Sequence, residues 1–248
     1  MFLHKSKLTL GHLLLVLAAA AMIAGCESSD DDGEGNGDVV QLGDQRQIEP
    51  GDTWTYSVSG TGVAPNGGVV SLTPGNGTWT YSTGTIDLPG HPGLHTLTLT
   101  WPVAFTGVQY TETLTFAFGQ GEDGAFSLYG LSPGEGVEIG AVTSNGGVMP
   151  WPLFTNVPGL GSWQGSAEID GCGTLGIDIE HDTVEDVTVG GRTYRCYRWD
   201  VVLDLGLEVP MTFWYNPQVG CVKLTESYPD QYGTTNVTLE LQSTQFAD

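Results

Sequence analysis

Val187-Thr188-Val189-Gly190-Gly191-Arg192-Thr193-Tyr194-Arg195-Cys196 is the stretch of sequence that decides the fold of this chain. On both sides of the two glycines, apolar and polar residues alternate, as they do in strands that bury one face. A pair of glycines between such runs is typical of a two-residue β-hairpin turn. The pattern therefore predicts a hairpin that joins Val187–Val189 to Arg192–Leu205.

Similar alternating segments recur through the rest of the chain, and no long stretch keeps helical spacing. Glycine is abundant, with 37 residues, and threonine, which favours strands, is frequent. Pattern and composition predict an all-β protein of antiparallel strands, arranged as curved sheets or a sandwich, with few or no helices after residue 25. The further predicted strands are Thr96–Trp101, Tyr110–Phe118, Ala125–Tyr129, Pro210–Tyr215, Gly220–Tyr228 and Asn236–Gln242.

The folded part of the chain shows an internal similarity between two halves. Gly51-Asp52-Thr53-Trp54 begins the first half, and Gly159-Leu160-Gly161-Ser162-Trp163 begins the second. Matching strand segments follow each opening in the same order. The sequence therefore predicts a duplication, with halves at residues 48–148 and 160–248 and a proline-rich connection at 149–159. A chance match among strands rich in glycine and threonine is the alternative.

The N-terminus has the layout of a removable secretory leader. Lys5 and Lys7 precede a run from Leu8 to Ala24 that is apolar apart from Thr9 and His12. This run is too short for a typical membrane-spanning helix. Residues 1–25 are therefore predicted to be a signal peptide. Residues 26–47 are predicted to be an acidic, disordered tether, because the first part of this segment contains no apolar residue that could join a core.

The end of the leader, Ile23-Ala24-Gly25-Cys26, resembles the lipobox of bacterial lipoproteins. This resemblance implies that Cys26 is acylated and becomes the first residue of a chain anchored in the membrane by its acyl groups. Glu27 stands where an aspartate usually retains lipoproteins in the inner membrane, so the resemblance implies an outer-membrane location, on the periplasmic face or the cell surface. An ordinary signal peptide with a chance cysteine is the alternative.

A second resemblance lies in the C-terminal half. Thr212-Phe213-Trp214-Tyr215-Asn216-Pro217, followed by Val219-Gly220-Cys221-Val222-Lys223, is similar to the WYAPGVGLVK motif of a family of uncharacterised bacterial lipoproteins. The hairpin at Val187–Cys196 resembles the strand pair that precedes this motif. Such proteins are similar to the curved β-sheets of the lipoprotein carrier and acceptor of the Lol pathway. Those proteins cover their sheet with helices, which this sequence does not predict.

The charge of the chain excludes some classes of partner. The sequence has 7 basic and 29 acidic residues, and removing residues 1–25, which hold two lysines and no acid, changes the net charge from −22 to −24. Such a chain does not attract nucleic acid or an anionic lipid surface electrostatically. Solubility is the simplest reason for the charge, and a basic or divalent-cation partner is the alternative.

Two cysteines of the C-terminal half are predicted to form a disulfide, since exported proteins meet an oxidising environment. If Arg192–Leu205 and Pro210–Tyr228 form one hairpin that turns near residues 206–208, Cys196 lies close to Cys221. The remaining Cys172 is then buried and reduced, or pairs with Cys196 instead.

The sequence contains no convincing catalytic, cofactor or metal site. Gly130-Leu131-Ser132-Pro133-Gly134 matches the pattern of a serine nucleophile, but Pro133 has no N–H to donate to an oxyanion. His91 and His95 could flank a turn as metal ligands, yet no cysteine or glutamate lies at the usual spacing. His181 lies in an acidic run from residue 178 to 186, where carboxylate pairs are expected by chance.

The sequence therefore predicts a lipoprotein without enzymatic activity that acts as a binding or structural module for a protein or an apolar ligand. Trp151, between two prolines, is a candidate ligand contact or else packs internally. A carbohydrate-binding or adhesion module and a hydrolase with an unrecognised site are the alternatives.

Overall fold

The computed structural model describes residues 39–247 except 44–45, 64–67, 73–78, 106–107, 121–125, 133–138, 145–146, 149–150, 155–160, 170–172, 205 and 230–232. The described part is all-β, as the sequence predicts, and contains no helix. Correspondingly, none of the described residues form a helix long and apolar enough to cross a membrane.

The described residues form sixteen strands. Their bounds are β1 (Val39–Val40), β2 (Thr53–Val63), β3 (Val69–Leu72), β4 (Trp79–Leu88), β5 (His91–Phe105), β6 (Val108–Gln120), β7 (Phe126–Ser132), β8 (Gly140–Ser144), β9 (Gly147–Val148), β10 (Trp151–Phe154), β11 (Gly161–Ile169), β12 (Gly173–Val189), β13 (Arg192–Asp204), β14 (Glu208–Asn216), β15 (Gly220–Pro229) and β16 (Thr234–Gln245).

These strands belong to one large sheet. Its order is β10-β7-β6-β5-β4-β2-β16-β15-β14-β13-β12-β11-β8-β9, and all pairings are antiparallel except that of β1 with β13. Strand β7 also pairs with β8, where Gly130 lies opposite Ala141 and Leu131 opposite Gly140. This pairing closes the sheet on itself, so that the paired strands of the ring protect one another's edges.

The hairpin predicted from Gly190-Gly191 is confirmed. Val189 pairs with Arg192 across the turn, and the two glycines have φ values of 57° and 80°. Both values lie in the left-handed region, which the favoured two-residue hairpin turn requires at both positions and which costs glycine little.

Alternation along β13 and β14 places one set of side chains in the core. Tyr194, Cys196, Val201 and Leu203 of β13 are buried, and their neighbours are more exposed. The alternation shifts between Cys196 and Trp199, opposite a register shift in β12. A bulge changes the direction in which the following side chains point. After the shift, Trp199 is buried and stacks on Tyr215 with ring centroids 5.1 Å apart.

The two predicted halves contribute to a continuous sheet. Strand β2 of the first half pairs with β16 of the second, and β8 of the first pairs with β11 of the second. Each half runs largely as a meander of consecutive strands. The duplication itself stays a prediction. The connection predicted at residues 149–159 contains β10, which pairs with β7.

The folded part begins before Ile48, inside the segment predicted as a tether. Val39 and Val40 form β1 and pair with Thr193 and Tyr194 of β13. Val40 also packs against the hydrophobic core. Backbone pairing and apolar contact hold this short segment against the sheet. Residues 26–38 lie outside the described part.

Candidate binding groove

An open groove of about 620 Å³ crosses the outer face of five strands, β12 to β16. Its first row of side chains is a ladder of direct cross-strand partners. Glu180 lies opposite Asp200, Asp200 opposite Thr212, Thr212 opposite Thr225, and Thr225 opposite Thr238.

The second row lies two residues further along each strand. Because side chains alternate between faces, the residue between the two rows points into the core, and its backbone forms the floor of the groove. Val201, Met211, Glu226 and Val237 occupy these floor positions, and all four are buried. The second row consists of Asp178, Val202, Pro210, Ser227 and Asn236.

The β12–β13 end of the groove is acidic. Asp200 accepts hydrogen bonds from the Arg198 guanidinium at 3.0 Å and from the Thr212 hydroxyl at 2.7 Å. Asp178 accepts one from the Gln164 amide at 2.6 Å. Glu180 is exposed and has no ion pair or hydrogen bond with the other described residues. Three carboxylates and one guanidinium leave this end with a net negative charge.

The β15–β16 end is uncharged and polar on its outer face. It carries the hydroxyl groups of Thr225, Ser227 and Thr238 and the side-chain amide of Asn236. Hydroxyl groups both donate and accept hydrogen bonds, and an amide offers two donors and an acceptor. The two ends of the groove therefore differ in chemistry, so an elongated ligand with two different ends would bind in one orientation.

Beneath the groove, on the core side of the same strands, lies a buried polar cluster. Glu226 is 4% exposed, and burial raises the pKa of its carboxyl well above the ordinary value. Burial, followed by the charges of Cys221 and Glu226, also raises the pKa of Tyr81. Glu226 Oε2 and Tyr81 Oη have no hydrogen-bond partner among the described residues. The raised pKa favours the protonated, neutral form of Glu226.

Tyr56 joins this cluster from β2. Its hydroxyl donates a hydrogen bond to the carbonyl oxygen of Cys221 at 2.8 Å, and its ring meets that of Tyr81 edge to face with centroids 5.3 Å apart. The hydroxyl of Tyr56, which has a partner, thus lies near two polar atoms that have no hydrogen-bond partner among the described residues. These atoms make the cluster a local cost to folding.

Cys196 and Cys221 lie on strands that do not pair directly. The chain turns again after Asn216, so β14 lies between β13 and β15, and Cys221 is opposite Tyr215. Both cysteines are buried free thiols in this structure. Burial, with the charges of Asp186 and Glu185, raises the pKa of Cys196 to about 12. Burial and the nearby Cys196 raise that of Cys221.

The single hairpin on which the predicted disulfide was based is thus replaced by two. The predicted turn near residues 206–208 does join β13 to β14, with Gly206 at a φ of 78°. Linkage of Cys196 to Cys221 stays a prediction, and Cys172 lies outside the described residues.

The serine and histidine candidates are accommodated within strands. Ser132 is the last residue of β7, pairs with Thr115 and is buried, so it does not stand on an exposed turn. The His91 ring packs on Tyr129 with centroids 4.8 Å apart, and His95 stacks on Phe118 at 5.6 Å. No group of three or more metal-ligating His, Cys, Asp or Glu side chains occurs among the described residues.

The acidic run at residues 178–186 is divided between several tasks. Asp178 and Glu180 line the groove, the Trp214 indole donates a hydrogen bond to Glu185, and Asp186 pairs with Arg195 at 3.1 Å. The side chain of His181 lies outside the described part. Successive side chains of a strand point to opposite faces of the sheet, so these acidic residues contact different partners. The sequence of the run alone does not show which residue contacts which partner.

Two other predicted site residues, Cys26 and Trp151, have side chains outside the described part. Cys26 lies outside the described residues. Trp151 begins β10 and pairs with Leu128 of β7, while its side chain is not among those described. Its contact with a ligand stays a prediction.

The groove is not predicted from the sequence. Its threonines are ordinary outward-facing strand residues, and only the strand order and register place them in one ladder. The polar residues at outward-facing positions of β12 to β16 are the feature of the sequence that is consistent with a polar groove.

The motif that suggested a lipoprotein family has a structural role here. The side-chain amide of Asn216 donates hydrogen bonds to the carbonyl oxygens of Gln41 at 3.0 Å and Arg195 at 2.8 Å. The Trp54 indole donates one to the carbonyl oxygen of Val219 at 2.7 Å. The turn between β14 and β15 therefore holds the N-terminal segment against the sheet.

A buried carboxylate completes this N-terminal clamp, which we define as residues 39–52 with the turn at 216–220. Asp52 is fully buried and forms an ion pair with Arg46. It also accepts hydrogen bonds from the backbone N–H of Glu49 at 2.9 Å and of Ala247 at 2.8 Å. Both ends of the folded chain are thus joined at one carboxylate.

Comparisons with known proteins place the chain in no family. No family model matches the sequence, and no curated protein matches it. A solved structure from Bacteroides fragilis, a protein with a YmcC-like fold described provisionally as exported, is similar over 80% of this chain and 97% of its own length, with 13% identity and a TM-score of 0.34.

Proposed function

We propose that this protein is a non-catalytic binding module, held at the outer membrane by acyl groups on Cys26, that binds its ligand in the groove across β12 to β16. The groove is the observation that carries the proposal. Its volume of about 620 Å³ lies within the range of small-molecule sites, and its lining offers many hydrogen-bonding groups. This polar lining favours a polar ligand over the apolar ligand predicted from the sequence.

The position of the clamp supports this arrangement. Thirteen residues separate Val39 from the end of the leader, which allows a tether of at most about 45 Å. The clamp meets β13 at Thr193 and Tyr194, whereas the groove crosses β13 at Asp200 and Val202. Seven residues of strand span about 23 Å. A membrane anchor on Cys26 would therefore attach near one end of β13, and the groove would lie nearer the other end of this strand.

The absence of catalysis is part of the proposal. The buried, strand-bound Ser132 supports it, because a serine nucleophile needs an exposed position and an activating base. A fluorophosphonate probe is expected to leave Ser132 unlabelled. Stoichiometric labelling at that residue would make the protein a serine hydrolase.

Anchoring is tested with Cys26→Ser. The substituted protein is expected to leave the membrane fraction or to keep its leader, while Cys196→Ser stays with membranes. An unmodified Cys26 at the mature N-terminus, shown by intact-mass analysis, would disprove the anchor.

Binding in the groove is tested by photocrosslinking in cells that carry the native anchor. A photoreactive residue at Thr225 is expected to trap a ligand of defined mass. The same residue at Thr188, on the outer face near the clamp, is expected to trap none. Equal yields at the two positions, or no adduct at Thr225, would contradict binding in the groove.

A further inference from the structure

We infer that the ligand of this groove is an amino-sugar oligosaccharide, a chain of hydroxyl-bearing rings with at least one protonated amine. The inference rests on the proposed function, because it names the ligand class of the same groove. It follows from three features of the groove, which are its acidic end, its hydroxyl ladder and its length.

The acidic end selects a cation. Glu180 is the exposed carboxylate without a described partner, and it lies directly opposite Asp200, whose charge is shared with Arg198. Two carboxylates on facing positions repel each other, and a cation placed between them relieves that repulsion. A protonated amine also donates charge-assisted hydrogen bonds to both.

The other end selects hydroxyl groups. Thr212, Thr225 and Thr238 stand on three successive strands as direct cross-strand partners. Neighbouring strands lie about 4.8 Å apart, so the hydroxyls form a regular ladder with that spacing. A chain of sugar rings presents its own hydroxyls at a comparable spacing. Thr225 and Thr238 can donate to them or accept from them, while Thr212 accepts because its own proton is donated to Asp200.

The length of the groove fits a short chain rather than a single ring. Five strands at this spacing extend over about 19 Å. Val202 and Pro210 lie in the second row between the acidic and the hydroxyl ends. They offer a small apolar surface against which the C–H face of a ring can rest.

Other ligand classes satisfy only part of this lining. A linear polyamine would pair with the carboxylates but leave the hydroxyl ladder and Asn236 to water. A neutral oligosaccharide would use the ladder but leave Glu180 without a cationic partner. Both features together favour a ligand that carries amines and hydroxyls.

The test is a calorimetric titration of the acylated, full-length protein in detergent at a pH where sugar amines are protonated. The probes are a β-linked glucosamine tetramer, its fully N-acetylated counterpart and spermine. The glucosamine tetramer is expected to bind at least tenfold more tightly than either of the other two. Its affinity is expected to fall as the salt concentration rises.

Substitutions locate the site. Glu180→Gln is expected to weaken binding of the glucosamine tetramer at least tenfold. Glu208→Gln, a matched change at an exposed glutamate outside the groove lining, is expected to leave it unchanged. Thermal unfolding of both variants shows whether each is folded.

Several outcomes would overturn the inference. If the acetylated tetramer binds as tightly as the glucosamine tetramer, the amine charge does not contribute to recognition. If spermine binds as tightly as the glucosamine tetramer, the hydroxyl groups do not contribute. Failure of all three probes, or no effect of Glu180→Gln, would reject the ligand class. If a ligand of another kind is crosslinked at Thr225, the inference fails and the proposed function stands.

Discussion

Glu180 and Asp200 lie directly opposite each other on β12 and β13, on the outer face of the sheet. Like charges in this arrangement destabilise a sheet, by roughly 0.2–1 kcal/mol on the scale of cross-strand pairs. Arg198 and Thr212 stabilise Asp200 and leave Glu180 without a described partner. Functional sites in proteins often carry a cost in stability of this kind.

Removing this repulsion is expected to stabilise the protein. Glu180→Gln should raise the free energy of unfolding by about 0.5 kcal/mol at neutral pH and low salt, and the gain should shrink as salt is added. Urea unfolding measured at two salt concentrations checks the prediction. Glu49→Gln, at an exposed glutamate outside the strands, serves as a control for the general effect of reducing the net charge. A loss of stability in Glu180→Gln alone would show that the carboxylate has a stabilising partner.

Much of the fold can be predicted from the sequence, for reasons that lie in individual turns and strands. Gly190 and Gly191 specify their turn through their backbone freedom, and alternation in β13 and β14 identifies the inward residues. The sequence also predicts a break between strands after Asn216, but the predicted pairing of Cys196 with Cys221 treats residues 210–228 as one strand. The cysteine therefore fell one strand away from its predicted neighbour.

The groove could not be predicted in the same way. Local pattern shows that Thr212, Thr225 and Thr238 face outward, but their alignment depends on the two turns that join their strands and on a bulge in β15. That bulge lies where the pairing with β14 shifts between Trp214 and Tyr215. A shift of one residue would exchange the two faces of a strand and remove the ladder.

The buried carboxyl of Glu226 predicts a pH dependence of stability. Burial raises its pKa in the folded protein above the ordinary 4.5, so the folded state binds the proton more tightly than the unfolded state. Stability from this group is therefore fully present below about pH 4.5 and is lost as the pH rises toward the folded-state pKa. Glu226→Gln is expected to remove that loss, and the difference in melting temperature from the wild type should grow with pH. Parallel curves from pH 4 to 9 would contradict a raised pKa.

Linkage of Cys196 to Cys221 stays a prediction, which applies if the protein is exported into an oxidising environment. Both side chains are buried, and the charge of Cys196 raises the pKa of Cys221, so the two groups are near each other on the core side. Peptide mapping without reductant is expected to recover the linked pair. Alkylation of both cysteines in denaturant without reductant would instead match the free thiols of this structure.

If they are thiols, they are expected to be inert in the folded protein, because the raised pKa leaves almost no thiolate to react. Iodoacetamide should then label Cys196 only after unfolding. Rapid labelling under native conditions would show that β13 and β14 separate readily at this point.

Loss of the Asn216 side chain is expected to release the N-terminal clamp. Asn216→Ala removes two donors and leaves the carbonyl oxygens of Gln41 and Arg195 without them, one of which lies on the N-terminal segment and the other on β13. The cost of unsatisfied buried groups predicts a loss of about 1–3 kcal/mol in the free energy of unfolding. Hydrogen exchange should accelerate at residues 39–43 more than in β16, since that segment depends on few other contacts. Asn236→Ala, at an exposed asparagine of β16, provides the matched control and should leave exchange at 39–43 unchanged. If Asn216→Ala accelerates exchange uniformly across the sheet, its role is in global stability, and the clamp does not behave as a separate unit.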